Sequence, residues 1–332
     1  MLRSLLRVAL ALAPVHSPSS TSSYDEAVSR AAQRQAADDS VSVPGGRSIL
    51  MTHGSRAPRV FVLLHGFTDA PTQFFGLGTR FFSRGDNVYI PRLPHHAERA
   101  NGVRVLSRVR AEELEAFGDS VVAEAAGLGD TIIVIGLSAG GAITGHIALA
   151  HPEVERVVLI APALAAGVIS DDAGRTITLL AAHLPTVTRT ESPDSSGPEY
   201  AKGINTRGLA QVLRLGERVR SAADTSPPAV KHIAFLLNDL DRTVSDDAAV
   251  DLARRWASRG ASVSVAFFTK ESRLPHNVME EPAHGGNPEV VYPAIEALAM
   301  EGALSAGVRV DPMAQCAAWR CKLFKLARVL LL

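Results

Sequence analysis

The chain has 332 residues, 46% of them hydrophobic, which is enough to enclose one large core. Its 34 Lys and Arg balance 34 Asp and Glu, so no charge excess points toward nucleic acid or another polyanion. No uninterrupted apolar run reaches the ~18 residues that a conventional membrane-spanning helix needs.

Residues 1–40 read as an N-terminal leader followed by a helix. Met1-Leu2-Arg3-Ser4-Leu5-Leu6-Arg7 is basic, Val8 to Val15 is a short apolar run, and Ser/Thr-rich residues follow. That is the pattern of an export signal or an N-terminal anchor. Pro14 and Pro18 flank the plausible cleavage points and speak against efficient cleavage, so a cytoplasmic tail is the other reading. A helix is expected from Tyr24 to Ala37, and Ser42 to His53 is expected as an edge hairpin turned at Pro44-Gly45-Gly46. Arg59 to Leu64 and Asn87 to Ile90 read as strands, and Glu112 to Gly127 is helical by period.

Thr131 to Ile135 is a short β-branched run that fits a buried parallel strand. It leads into Gly136-Leu137-Ser138-Ala139-Gly140-Gly141, a G-x-S-x-G motif, and then into an Ala- and Gly-rich helix that ends at Pro152. A serine hydroxyl is a weak nucleophile until the fold exposes it beside a base. A sharp strand-to-helix turn does this by forcing the serine into strained backbone geometry. Gly136 and Gly140 keep strand and helix close, and the helix begun at Ala139 aims its first N–H groups at a developing oxyanion.

Arg156 to Ala161, His232 to Leu237 and Ser262 to Phe268 are further strands. Helical patterns separate most of them, which predicts βαβ units and a mostly parallel sheet with flanking helices. Residues 41–164 and 229–300 therefore form the α/β core. Residues 165–228 break the rhythm and read as a lid or cap insertion over the strand ends, where open α/β sheets bind ligands. This insertion includes an amphipathic helix from Thr206 to Ala223. The 301–332 tail is apolar and basic, with Trp319, Arg320, Lys322, Lys325 and Arg328 among leucines. It is read either as a helix packed on the domain or as a membrane-surface helix giving weak association. Cys316 and Cys321 read as two free thiols and do not settle the compartment.

A nucleophilic serine needs an imidazole base, supplied in the order Ser, acid, His by a loop after the last strand. Of eleven histidines, His276 and His284 follow that strand. His276 lies between Leu274-Pro275 and Val278-Met279, a loop held in place, whereas His284 precedes Gly285-Gly286. Asp239 and Asp241 both follow the preceding strand and face the same side, so periodicity cannot choose between them. Adjacent His95-His96 point apart, and no ligand spacing completes a metal site around them. No phosphate-binding glycine loop or cofactor fingerprint occurs, so neither metal nor cofactor is expected.

With Leu63-Leu64-His65-Gly66-Phe67-Thr68-Asp69, Gly136 to Gly141, Asp241-Arg242-Thr243-Val244 and Leu274-Pro275-His276-Asn277-Val278 in this order, the chain resembles the α/β-hydrolase superfamily. Its nearest likeness is the bacterial carboxylesterases of the monoacylglycerol-lipase and serine-aminopeptidase-like group. The resemblance spans about Val43 to Leu298. It implies an α/β-hydrolase fold and a catalytic triad of Ser138, Asp241 and His276. It also implies an oxyanion hole from the amides of Phe67 and Ala139, and a bracing role for His65 beside Gly66. The family often has Asp after the histidine, and Asn277 departs from that pattern. The expected activity is hydrolysis of carboxylic esters with apolar acyl groups through an acyl-enzyme. An amidase or serine aminopeptidase on the same triad is the alternative, and a non-catalytic membrane- or partner-binding protein of the same fold is a third reading.

Overall fold

A computed structural model describes residues 23–99, 102–167, 186–190, 203–280, 282–300, 304 and 307–311. The expectations for residues 1–22, for 168–185 and 191–202 within the insertion, and for the tail beyond 311 with Cys316, Cys321 and Trp319 lie outside the described residues.

The strands of the main sheet are β1 (Ile49–Met51), β2 (Ala57–Leu64), β3 (Asn87–Ile90), β4 (Gly129–Leu137), β5 (Val154–Ile160), β8 (His232–Asn238), β9 (Ser262–Phe268) and β10 (Val308–Val310). Their order is β1-β3-β2-β4-β5-β8-β9-β10, with β6 (Thr188–Thr190) and β7 (Gly203–Asn205) forming a separate antiparallel pair. The six inner strands run parallel, and the two edges are antiparallel. Helices cover both faces of such a sheet, which is why Ile132 to Leu137 can be an unbroken buried run rather than an alternating one.

The helices are α1 (Tyr24–Val41), α2 (Phe75–Phe82), α3 (Ala111–Ala125), α4 (Ala139–Ala150), α5 (Thr206–Ala222), α6 (Asp246–Ser258) and α7 (Pro288–Met300). Helix α1 starts with a capping box in which Ser23 and Glu26 exchange side chain and backbone contacts. It is tied to the loop after β3 by a buried Arg92–Asp38 pair at 2.9 Å. Among the described residues no helix is long and apolar enough to cross a membrane.

The expected hairpin at Ser42 to His53 does not form. Ser42 bridges to Glu98 and the Val43 N–H donates to Ala97 O, while Ile49–Met51 pairs antiparallel with β3. The reason lies in the turn. A Cβ on Gly46 would sit 2.8 Å from Ala97 Cβ, so the turn docks on the loop after β3 and its arms diverge. Helix α2 and strand β10 were not foreseen.

The helix of the insertion, α5, is built into the core layer. A Cβ on its Gly216 would come within 2.3 Å of Ala163 O, and one on Gly145 of α4 would meet Val219 at 3.1 Å. At its start, Gly208 abuts Leu106 O and the Phe67 ring. So α5 runs along α4 from the loop that follows β2.

Candidate active site

Strand β4 delivers Ser138 at a break in backbone geometry. Ser138 has φ 53° and ψ −108°, a conformation a non-glycine residue holds only when its surroundings enforce it. The enforcement is visible in two hydrogen bonds. The Ser138 N–H donates to Ile160 O at 2.9 Å, and Ser138 O accepts from Ala163 N at 2.9 Å. A Cβ on Gly136 would lie 2.2 Å from Gly140 O, and one on Gly140 would lie 2.0 Å from Leu64 O. Any side chain at either position would force strand and helix apart and relax the turn.

The sheet order then brings the remaining groups to the same edge. Asp241 follows β8 and His276 follows β9, both at carboxyl ends on the same side as Ser138. His276 Nε2 lies 3.0 Å from Ser138 Oγ, and His276 Nδ1 lies 2.6 Å from Asp241 Oδ2. The Asp241 side chain is fully buried, and its other oxygen accepts from the Thr243 N–H at 2.7 Å and the Val244 N–H at 3.4 Å. Buried Val244 anchors the loop that presents these amides. Asp239 instead turns outward to Arg309 at 3.0 Å. His284 sits outside this cluster, 4.0 Å from Glu280.

Phe67 and Ala139 lie after Gly66 and after Ser138, and among the described residues neither amide N–H donates to a protein acceptor. The loop carrying Phe67 is held from several directions. His65 is fully buried, with its Nε2 accepting from the Leu93 N–H at 3.1 Å and its Nδ1 3.0 Å from Gly66 O. Burial, helped by His96 and Arg92, holds its pKa well below the usual imidazole range, so it stays neutral as this hydrogen-bond pattern requires. His96, buried and likewise pushed down to about 4, packs edge-on against both His65 and Phe67. His95 points the other way, toward Glu113 and Glu98.

Three residues that the sequence did not single out, or left in doubt, join the two halves of the site. Gln73 Oε1 accepts from the Gly66 N–H at 2.8 Å, and its Nε2 donates to Asp69 at 2.6 Å and to Asn277 Oδ1 at 2.9 Å. Asn277 Nδ2 reaches Asp69 Oδ2 at 3.1 Å and Glu280 Oε1 at 2.9 Å. The amide at 277 therefore donates to two carboxylates where an aspartate would repel them. Asn238 holds the histidine loop from below, donating to Leu274 O at 2.9 Å and Pro275 O at 3.1 Å. Asn238 carried a sequence signal only as the polar end of a strand, and Gln73 carried none. Asn238 reaches a partner 36 residues away, and the Gln73 contact that joins the two halves spans 204.

Comparison with known proteins adds three findings. The sequence matches the model of the alpha/beta hydrolase family over residues 61–293. It is 28% identical over 184 residues to a thermostable monoacylglycerol lipase from Bacillus sp. (strain H-257), spanning 52% of this chain and 67% of that protein. Among solved structures, one of the metagenome-derived lipolytic enzymes LipS and LipT superposes with a TM-score of 0.57 at 19% identity, covering 78% of this chain and 99% of that one. The monoacylglycerol lipase of Paleococcus ferrophilus gives 0.57 at 18% identity, with 76% and 98% covered. At these identities the structural likenesses speak to the fold.

Proposed function

The chain belongs to the alpha/beta hydrolase family, and we propose that it hydrolyses carboxylic esters with apolar acyl groups through an acyl-enzyme on Ser138. The observation that carries this reading is the unbroken relay from Ser138 Oγ through His276 to buried Asp241, beside two amides with no protein acceptor among the described residues. Ser138 Oγ attacks the ester carbonyl carbon while His276 Nε2 takes its proton. Asp241 keeps the imidazole in the tautomer with Nδ1 protonated and stabilises the imidazolium that forms. The carbonyl oxygen becomes an oxyanion between the Phe67 and Ala139 amides, at the positive end of α4. His276 then protonates the leaving alcohol. In the second half it deprotonates water, which attacks the acyl carbon and returns Ser138 free.

Gln73, Asn277 and Asn238 act as positioning residues. Gln73 consumes the Gly66 amide so that the loop offers Phe67, and Asn277 links that loop to the histidine loop. The ester preference is supported by the Bacillus monoacylglycerol lipase likeness. A series of p-nitrophenyl esters of increasing acyl length, assayed beside aminoacyl-anilides, tests it. Turnover of the esters with a preferred chain length is the expected result. Faster anilide turnover would turn the reading into an aminopeptidase on the same triad.

A further inference from the structure

The nucleophile helix α4 carries a second cluster at its other end, about 12 Å of helix rise from Ser138. His146 on its last turns and His151 at its C-cap both aim Nε2 at one oxygen of Asp119 on α3, at 2.7 and 2.9 Å. The three ligand atoms lie within 4.8 Å of one another. Glu153 Oε1 lies 2.8 Å from the other nitrogen of His151. Helix α3 comes this close because residue 118 is glycine. A Cβ there would sit 3.0 Å from Ile143 and 3.6 Å from the His146 ring.

The proton count of this cluster is the informative point. A neutral imidazole has one N–H, yet His151 has a carboxylate oxygen against each nitrogen. With Nδ1–H donated to Glu153, the Nε2 lone pair faces the Asp119 oxygen, and two like-signed groups meet. A cation between them removes the conflict and gives each of these groups a partner. Both Nε2 lone pairs and one carboxylate oxygen then converge on it, while Glu153 fixes the tautomer of His151 as outer carboxylates do at metal-bound histidines. The carbonyl end of α4 adds its own attraction for positive charge.

We propose that Asp119, His146 and His151 bind a divalent transition-metal ion of the zinc class, which clips α3 to the C-terminal end of the nucleophile helix. Two imidazoles and one carboxylate suit a borderline ion such as Zn²⁺ rather than oxygen-seeking Mg²⁺ or Ca²⁺. Tetrahedral zinc at ligand distances of about 2.0–2.1 Å needs its donors roughly 3.3 Å apart. The Asp119 side chain, 52% exposed, has the freedom to withdraw and make that room. Water completes the coordination on the exposed side. The site is far from the ester chemistry, so its effect is on stability.

The test uses the tag-free full-length chain, dialysed against a chelator and titrated with Zn²⁺ by calorimetry. One saturable equivalent per chain is expected, and Co²⁺ in its place should give the visible bands of a tetrahedral site. Zn²⁺ should raise Tm by an amount that grows with its concentration above Kd. His146→Ala and His151→Ala together should abolish both effects while ester turnover persists, which separates metal loss from unfolding. Glu153→Gln should weaken Kd by about 10- to 100-fold, and His95→Ala should leave binding unchanged. Should the double variant not fold, Asp119→Ala at an exposed position makes the same test. No saturable equivalent up to about millimolar Zn²⁺, or an equivalent that survives the double variant, would overturn the proposal. Removal of binding by His95→Ala alone would also overturn it.

Discussion

The two ends of α4 solve opposite electrostatic problems with the same local device. At the N-terminal end, Gly136 and Gly140 let strand and helix meet closely enough to hold Ser138 in a strained turn. At the C-terminal end, Gly118 lets a neighbouring helix meet α4 closely enough to bring Asp119 onto two histidines. The first end is sealed except at His276: Ser138, His65 and Asp241 are buried, the His276 side chain is 22% exposed, and each polar side-chain atom of the relay has a defined partner. The second is half open to solvent and leaves one nitrogen–carboxylate contact that only a proton or a metal ion reconciles. Burial makes a site precise, while exposure makes it responsive to ions and pH.

The comparison breaks first where the sealed end depends on a single atom. Ser138→Ala should abolish ester turnover, with a loss of the ~10⁶-fold order seen when such a nucleophile is removed. Circular dichroism and Tm should stay close to wild type, because alanine keeps the Cβ and the backbone hydrogen bonds that hold the turn. Persistence of more than a few per cent of activity in a contaminant-free preparation would remove Ser138 from the mechanism.

The next largest effect separates two neighbouring carboxylates. Asp241→Asn keeps the shape but favours the wrong imidazole tautomer, for which a loss of ~10⁴ in kcat is the expected scale. Asp239→Asn loses only an exposed pair with Arg309 and should cost less than about tenfold. The opposite ranking in steady-state kinetics would mean that the wrong carboxylate has been assigned.

This pair also measures what could be read from the sequence. The strand, turn and helix around Ser138 were legible because local rules write them: a β-branched run, glycines at fixed offsets, and a proline stop. Order along the chain left His276 and His284, and the apolar residues flanking His276 chose between them. Asp239 and Asp241 share a face of an extended chain, so periodicity left them level and the resemblance at Asp241 to Val244 made the choice; the physical difference is the bend that sends Asp241 inward, with its Thr243 and Val244 amides. The misread hairpin at Ser42 to His53 failed for a related reason. Its turn residues were right, but the first arm's partner is a loop about 55 residues on and the second arm's a strand about 40 residues on, which local pattern does not encode. Asp119 and the link from Gln73 to Asn277 were invisible because they arise only from contacts across the fold.

Smaller effects sharpen the sealed end. Asn277→Asp places a carboxylate against Asp69 and Glu280, which currently accept from its amide. We expect kcat/KM to fall by about 10- to 100-fold as the histidine and oxyanion loops separate, on the scale of 1–3 kcal/mol for a buried polar partner lost. The deficit should shrink as pH falls, because protonation of one carboxyl in the cluster relieves the repulsion. A pH-independent deficit would show that charge is not the cause.

The mildest perturbation concerns stability. Asp246, at the start of α6, is pushed up to about 7 by burial and by Asp241, Asp239 and Asp247. Its Oδ1 has no protein partner among the described residues. The folded state thus binds this proton more tightly than the unfolded chain, so wild-type stability should fall as pH rises from about 4 to about 7 and then level off. Asp246→Asn should lack that slope and be the more stable protein above pH 7. With solvent screening of a partly exposed group discounted, the gain is on the order of 1–2 kcal/mol. Denaturation midpoints measured at pH 5 and pH 8 for both proteins check this, and parallel curves would refute it.

The most direct test of the central claim is to trap the acyl-enzyme. The chain is mixed with a p-nitrophenyl ester, quenched in acid within the first turnover, digested and analysed by mass spectrometry. The account predicts one acyl group per chain on the peptide containing Ser138, accumulating when Asp241 is changed to Asn only as slowly as turnover itself. Product release with no acylated peptide at any time, or an acyl group on a different residue of a folded chain, would contradict it.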